Sequence, residues 1–196
     1  QYALPFSAKT IFPVEWTSEN YRIIFTDFSF GRPLVNTLIV VAVLVPVNII
    51  IASIAGYAFA FYEFKGKKVL FSFFIISFMV PIDSVALPLY ALINRLKLVD
   101  TYWALILPSV SSGLAMFLFT QFFRGIPKSF LEAARIDGAN LFQTYWRIVL
   151  PLSIPVVITA GLMVFVTEWN SYLWPLLVTR SADVRTVQVA LAYFKD

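Results

Sequence analysis

Four stretches of the chain are apolar and uncharged for too long to suit an ordinary surface helix. Pro33 to Tyr62 runs thirty residues without a charge between Arg32 and Glu63. A helix needs about 20 residues to cross a hydrocarbon core about 30 Å thick, so this run spans with length to spare. A second run opens at Val69, after Lys67 and Lys68, and stays uncharged to Ile82, where Asp83, Pro81 and Pro88 interrupt it. It crosses if the lysine stems snorkel and Asp83 sits at the far interface. Thr101 to Phe123 and Ile148 to Thr167 are uncharged over 23 and 20 residues, and Pro151 and Pro155 suit the opening turns of the last run. Nowhere does the ten-residue alternation of a membrane barrel appear, which leaves closed helices as the spanning form. The expected fold is all-α, a polytopic transmembrane bundle with four spans visible.

Within the first span Ala52, Gly56 and Ala60 recur every four residues, the small-residue stripe that lets two helix backbones approach closely in lipid. Asn48, near the middle of the same run, either lines a transport path or bonds across to another helix. Pro46 and Pro108 lie inside spans and are expected to kink them.

Composition narrows the chemistry. Apolar residues make up 60% of the chain and charged ones 13%, against about 25% charged in a soluble domain. There is no His and no Cys, so the commonest metal ligands, the thiol nucleophile and the side chain titrating nearest neutrality are missing. Neither G-x-x-x-x-G-K-[ST] nor G-x-G-x-x-G occurs. The chain is expected to be no enzyme, to need no cofactor or metal, and to rely on a partner for any use of ATP.

The 26 charges sort by loop. Residues 63 to 68 carry +2, and residues 124 to 147 carry +2 from Arg124, Lys128, Arg135 and Arg147 against Glu132 and Asp137. The three remaining segments each balance, so the whole net charge of +4 lies on one side. By the positive-inside rule 63–68 and 124–147 are cytoplasmic, and an even number of spans leaves both ends outside. Residues 1–32 are then an extracytoplasmic segment and 33–196 the transmembrane domain. With Gln1 and no signal-like region to carry 1–32 across, an upstream span is expected to precede them.

The loop 124–147 is the informative one. Ser129 with Glu132, and Asn140 with Gln143, each read as a capping box, and Gly138 stands where the first of two short helices, near 130–137 and 141–147, would end. Asp137 faces the negative end of a helix dipole unless a cation outside the helix, or Arg147, compensates it. Adjacent Ala133 and Ala134 leave the surface free of bulk. The helix reads as a docking element, or else as an amphipathic helix on the headgroups anchored by Phe130, Leu131 and Trp146.

Glu132-Ala133-Ala134, three residues, Gly138, nine residues, Ile148, one residue, Leu150-Pro151 resembles, without a gap, the E-A-A-x3-G-x9-I-x-L-P signature of permease subunits of binding-protein-dependent ATP-binding-cassette importers. Seven fixed residues at ordinary usage arise by chance in fewer than about one chain in 10⁵. Asn36, Ala55 to Ala60 before Phe64-Lys-Gly66, Pro81, Pro88-Leu-Tyr90, Ile136-Asp-Gly138, Trp169-Asn170 and Trp174-Pro-Leu176 extend the likeness toward the carbohydrate branch, similar to the smaller maltose-type permease. The resemblance implies six helices of which four are present, so that the sequence is a fragment lacking the first and last. It implies a bacterial inner-membrane location and transport of a sugar or related solute, with glycerol phosphate or another polyol as the alternative. The implied partners are a cytoplasmic ATPase dimer, a second permease, an extracytoplasmic solute-binding protein and lipid, and no nucleic acid. It assigns ATPase coupling to Glu132, Ala133, Ala134, Asp137 and Gly138, and implies that the other permease half makes most solute contacts. Asn48, Glu168 and Asn170 are candidate pathway-lining residues, with Glu168 read alternatively as a residue of the membrane interface, where a charge costs far less than at the hydrocarbon centre. An oligomeric channel or a membrane enzyme are the competing classes; neither a filter loop nor a cluster of intramembrane acids supports them.

Overall fold

The computed structural model describes residues 18–26 and 29–193. Most of the expected 1–32 segment, and the charges Lys9, Glu15, Asp27, Lys195 and Asp196, lie outside the described residues. Every described element is helical: α1 (Glu19–Thr26), α2 (Gly31–Phe61), α3 (Lys67–Met79), α4 (Ile82–Arg95), α5 (Tyr102–Ile106), α6 (Gly113–Arg124), α7 (Lys128–Ile136), α8 (Leu141–Thr144), α9 (Leu150–Leu152), α10 (Ile154–Trp169), α11 (Leu173–Val178) and α12 (Val187–Ala192). A 3₁₀ turn (Leu107–Ser109) follows α5, and a π-helical turn (Tyr145–Val149) joins α8 to α9.

Of the four expected spans only the first is a single helix. At 31 residues, α2 is about 46 Å long. It runs through Pro46 as one helix, and it is the axis on which the rest packs. The other three spans are bent pairs. α3 and α4 meet at 95°, the 102–109 segment and α6 at 40°, and Leu141–Leu152 and α10 at 78°. Proline explains where they break. Val80 is extended ahead of Pro81, as the residue before a proline prefers. Pro108 falls in the 3₁₀ turn, and Pro155 sits in the first turn of α10 just past the break at Ser153. The second span is therefore two helices, the third opens with the short helical segment 102–109 before it breaks, and the fourth starts at Leu141 instead of Ile148.

Close approach is achieved through glycine. A Cβ on Gly56 would lie 2.7 Å from Phe119 Cβ, so α2 and α6 cross almost backbone to backbone. This is the face that the Ala52, Gly56, Ala60 stripe predicts. Gly113 plays the same part at the α3–α6 crossing, where an added Cβ would lie 2.8 Å from Phe78 Cβ. Lipid supplies no hydrophobic drive between helices, so dense packing of this kind is what holds them. Around the α2–α6 crossing Tyr57, Phe59, Phe119, Phe123, Tyr145 and Val149 form one buried cluster. Val40, Leu44, Ile93, Leu105, Trp174 and Val178 form a second, toward the start of α2.

The charge-balanced segments meet at that starting end. Buried Asn36 donates to the carbonyls of Asp183 and Arg185, both at 2.9 Å, and accepts from the Tyr102 hydroxyl at 2.6 Å. Thr37 accepts from the Val187 N–H at 2.9 Å, satisfying an end of α12. Asp100, in the left-handed region at φ 63°, accepts from the N–H groups of Arg180 and Ser181 at 2.8 and 2.9 Å. Those two donors, Ser181 first, hold its carboxyl below the usual carboxylate range.

Candidate functional site

The net-basic loops gather at the opposite end of α2. Lys67 donates to Glu63 at 2.8 Å, Arg124 lies 5.3 Å from the centre of the Phe71 ring, and Lys128 is near enough to act on the Glu63 carboxylate. Here the chain turns out through α7 and back through α8.

The α7–α8 turn has a defined stop and start. Gly138 adopts φ +78°, its N–H bonds the Arg135 carbonyl, and the Ala139 N–H bonds the Ala134 carbonyl at 2.9 Å. That pairing is a Schellman motif, and only glycine enters it without strain. No atom lies within 4 Å of where a Gly138 Cβ would be, so the constraint there is conformational and not steric. Asn140 and Gln143 form a complete capping box at the start of α8. The expected Ser129–Glu132 box does not form. Pro127 starts α7 at Lys128, which places Ser129 inside the first turn instead of before it.

Of the residues that the resemblance marks for coupling, Glu132, Ala133, Asp137 and Gly138 are exposed and Ala134 is buried. Ala134 therefore packs inward with Leu131, and only Ala133 of the pair belongs to the accessible surface; Leu131 is likewise no headgroup anchor. Asp137 caps α7 without a salt bridge among the described residues, so Arg147 does not compensate it. Around them stand Ile136, 86% exposed, Phe142, 69% exposed, and Leu141. An apolar surface with acidic and basic neighbours at a helical turn is fitted to a protein groove.

Two buried side chains that the sequence reading did not single out join this turn to the bundle. The Tyr145 hydroxyl, in the π-helical turn, lies 2.7 Å from Ser53 Oγ on α2. Because the Ser53 hydroxyl donates to the Ile49 carbonyl, the tyrosine is the donor of that pair. Tyr145 and Val149 lie four residues apart on one buried face, a periodicity that could have flagged them.

The α3–α4 and α5–α6 breaks border a cavity of about 670 Å³. Asn48 lines it from the middle of α2, Asp83 from the first turn of α4, Ser109 and Ser112 from the α5–α6 break, and Glu168 from the end of α10. Ser112 also caps α6, accepting from the Ala115 N–H at 3.2 Å. Asn48 Nδ2 donates to the Ser109 carbonyl at 3.0 Å, while its Oδ1 is buried without a partner. An orphaned buried acceptor costs about 1–3 kcal/mol. Asn48 thus bonds across helices, as one of its two readings had it, and also borders this cavity. Asn170 does not reach the cavity; its Nδ2 turns back to the Val166 carbonyl at 2.7 Å.

Residues 48–195 match the profile of the family described as binding-protein-dependent transport system inner membrane component. The arabinooligosaccharides transport system permease protein AraQ of Halalkalibacterium halodurans is 37% identical over 185 residues, 92% of this chain and 65% of that protein. The sn-glycerol-3-phosphate transport system permease protein UgpE of Yersinia pestis bv. Antiqua is 36% identical over 157 residues, 80% of this chain and 56% of that protein. Among solved structures, a chain of a bacterial ABC transporter involved in the import of the acidic polysaccharide alginate superposes with a TM-score of 0.84 at 25% identity, covering 92% of this chain and 64% of that one. The chain thus spans about 65% of the length of the first curated relative it matches.

Proposed function

Because the chain belongs to the binding-protein-dependent transport system inner membrane components, we propose that it is a permease subunit of an ATP-binding-cassette importer. It forms half of the pathway for a sugar or related solute and couples to a separate ATPase through the 124–147 loop. The observation that carries this reading is the exposed α7–Gly138–α8 turn, built on a strained-unless-glycine stop and continuous through the π-helical turn with the α10 span. The end that bears this turn and carries the net positive charge is cytoplasmic. A solute-binding protein delivers its cargo at the other end, and a second permease completes the bundle.

In this mechanism α7 and α8 sit in a cleft of the ATPase, with Glu132, Ala133, Asp137 and Gly138 at the contact. Asp137, uncompensated within the chain, pairs with an ATPase cation. ATP binding closes the ATPase dimer and draws the turn along. The Ser53–Tyr145 bond conveys that movement to α2, and the break at Ser153 lets α10 swing. Asn48 on α2 and Glu168 on α10 line the cavity between them, so their displacement opens it to one side and closes it to the other. Hydrolysis belongs to the partner. Substrates of the named relatives, arabinooligosaccharides and sn-glycerol-3-phosphate, suggest a hydroxyl-bearing solute.

The test is co-purification of the ATPase with the membrane-embedded importer carrying Gly138→Val. A β-branched residue forced to positive φ disrupts the turn, and ATPase recovery and uptake are both expected to fall at least tenfold. Undiminished binding with unchanged transport overturns the coupling role.

A further inference from the structure

We infer that the cytoplasmic end of α2 and the α8 arm of the turn form one moving body, joined by two hydroxyl bridges, and that the ATPase stroke enters α10 only through the joint at Ser153. The inference rests on the permease reading above and deepens it, naming Tyr57 and Tyr145 as positioning residues of the coupling.

Register is the first ground. Ser53 and Tyr57 stand four residues apart on α2, and Tyr145 and Leu141 four residues apart on the arm. The Tyr145 hydroxyl lies 2.7 Å from Ser53 Oγ, and the Tyr57 hydroxyl donates to the Leu141 carbonyl at 3.5 Å. The two bridges therefore pair antiparallel, about 6 Å apart along a helix. A single bridge is a pivot about which α8 could turn; a second one fixes its direction against α2. The Tyr62 hydroxyl donates in turn to the Tyr57 oxygen at 3.3 Å, so Tyr57 accepts from one tyrosine while it donates to the arm.

Packing around Tyr57 stiffens the longer bridge. The side chain is buried, and its ring centre lies 5.3 Å from that of Tyr145 on the arm, 5.3 Å from Phe61 on α2 and 6.4 Å from Phe123 on α6. All three spacings suit favourable aromatic pairs. Next to it Gly56 brings α2 and α6 almost backbone to backbone. A close-packed interior of this kind shifts as a block and does not deform continuously.

The way into α10 is built differently. Pro151 and Pro155 flank Ser153 and supply no N–H, so two backbone bonds of a continuous helix are missing around the 78° break. Between Pro46 and Phe61, by contrast, α2 is helical without another proline. Movement of the turn is thus carried stiffly into α2 and bent on its way into α10.

The experiment uses the complete importer in nanodiscs, this chain assembled with a cysteine-free ATPase and partner permease. The chain has no Cys, so two nitroxide pairs can be placed cleanly. One joins exposed Val43→Cys on α2 to exposed Arg147→Cys on the arm, and the other joins Val43→Cys to exposed Val166→Cys on α10. Pulsed electron paramagnetic resonance reads each spacing without nucleotide and with ATP trapped by vanadate. The Val43–Val166 spacing is expected to shift at least about three times as far as the Val43–Arg147 spacing. Tyr57→Phe with Tyr145→Phe keeps both rings and removes both hydroxyls. That double variant is expected to broaden the Val43–Arg147 distribution about twofold and to halve the ATP-driven Val43–Val166 shift. ATPase recovery is expected to stay unchanged, a split that a role in folding alone would not give. A Val43–Arg147 shift as large as the Val43–Val166 shift overturns the single body. Spacings in the double variant equal to those of the unmodified importer overturn the part played by the two tyrosines. ATP trapping that moves neither pair strikes the permease reading itself. The unmodified importer decides the single body even where the double variant fails to assemble.

Discussion

At the scale of single residues, buried polar groups on α2 decide what the helix can hold. Ser53 and Tyr145 are not equivalent partners. Ser53→Ala strands a buried phenol hydroxyl, while Tyr145→Phe leaves Ser53 bonded to the Ile49 carbonyl. The alanine variant is therefore expected to lose about 1–3 kcal/mol and the phenylalanine variant less than about 1 kcal/mol, read as thermal unfolding in nanodiscs. Equal losses would contradict the donor assignment. Asp100 gives a pH signature. Its carboxyl is depressed by the N–H groups of Ser181 and Arg180, so the ionised form is favoured by the fold. The stability it contributes is full above the unfolded value of about 3.9 and fades as pH falls through the lower folded value. Asp100→Asn is expected to flatten that part of the pH–stability curve, as measured by unfolding between about pH 2.5 and 6; an unchanged curve would dismiss the clamp. Of the three residues the sequence offered as candidates for lining a pathway, Asn48 and Glu168 border the cavity, while the Asn170 side chain bonds a carbonyl one helical turn back.

At the scale of elements, glycine and proline set the geometry. Gly56→Leu would drive α6 away from α2, because even a Cβ would lie 2.7 Å from Phe119 Cβ, backbone included among its next neighbours. A loss of about 1–3 kcal/mol is expected, with Gly56→Ala milder, measured by the same unfolding assay. Retention of full stability by the leucine variant would mean that the crossing is looser than described. The extent of the first span was legible because lipid forces a long uncharged run into one helix. Bend angles were not legible. Proline fixes where a helix stops, but the 95°, 40° and 78° turns come from what each half packs against. The α7 start shows two local signals in competition. Ser129–Glu132 spelled a capping box, and Pro127 just upstream took the start instead, because its fixed φ suits the boundary. Asn140–Gln143 had no such rival, and its box formed.

At the scale of the whole molecule, the chain is a bundle with two dissimilar ends and a cavity between them. Sorting charge by loop predicted the ends, since Lys and Arg density follows topology more closely than any helix boundary does. The cavity stayed hidden because its walls come from α2, the α3–α4 break, the α5–α6 break and the end of α10, far apart in sequence. The central claim is that the basic end, through the α7–α8 turn, docks the ATPase. The chain has no Cys, so a single cysteine can be placed anywhere without removing others. Ile136, 86% exposed at the end of α7, and Leu191, 45% exposed on α12 at the opposite end, make the decisive pair. In the assembled importer, a short thiol-to-amine cross-linker at Ile136→Cys is expected to capture the ATPase subunit, with a yield that changes on ATP binding, and Leu191→Cys to capture none. Capture of the ATPase from Leu191→Cys, with none from Ile136→Cys, would contradict the assignment of the ends and the coupling role built on it.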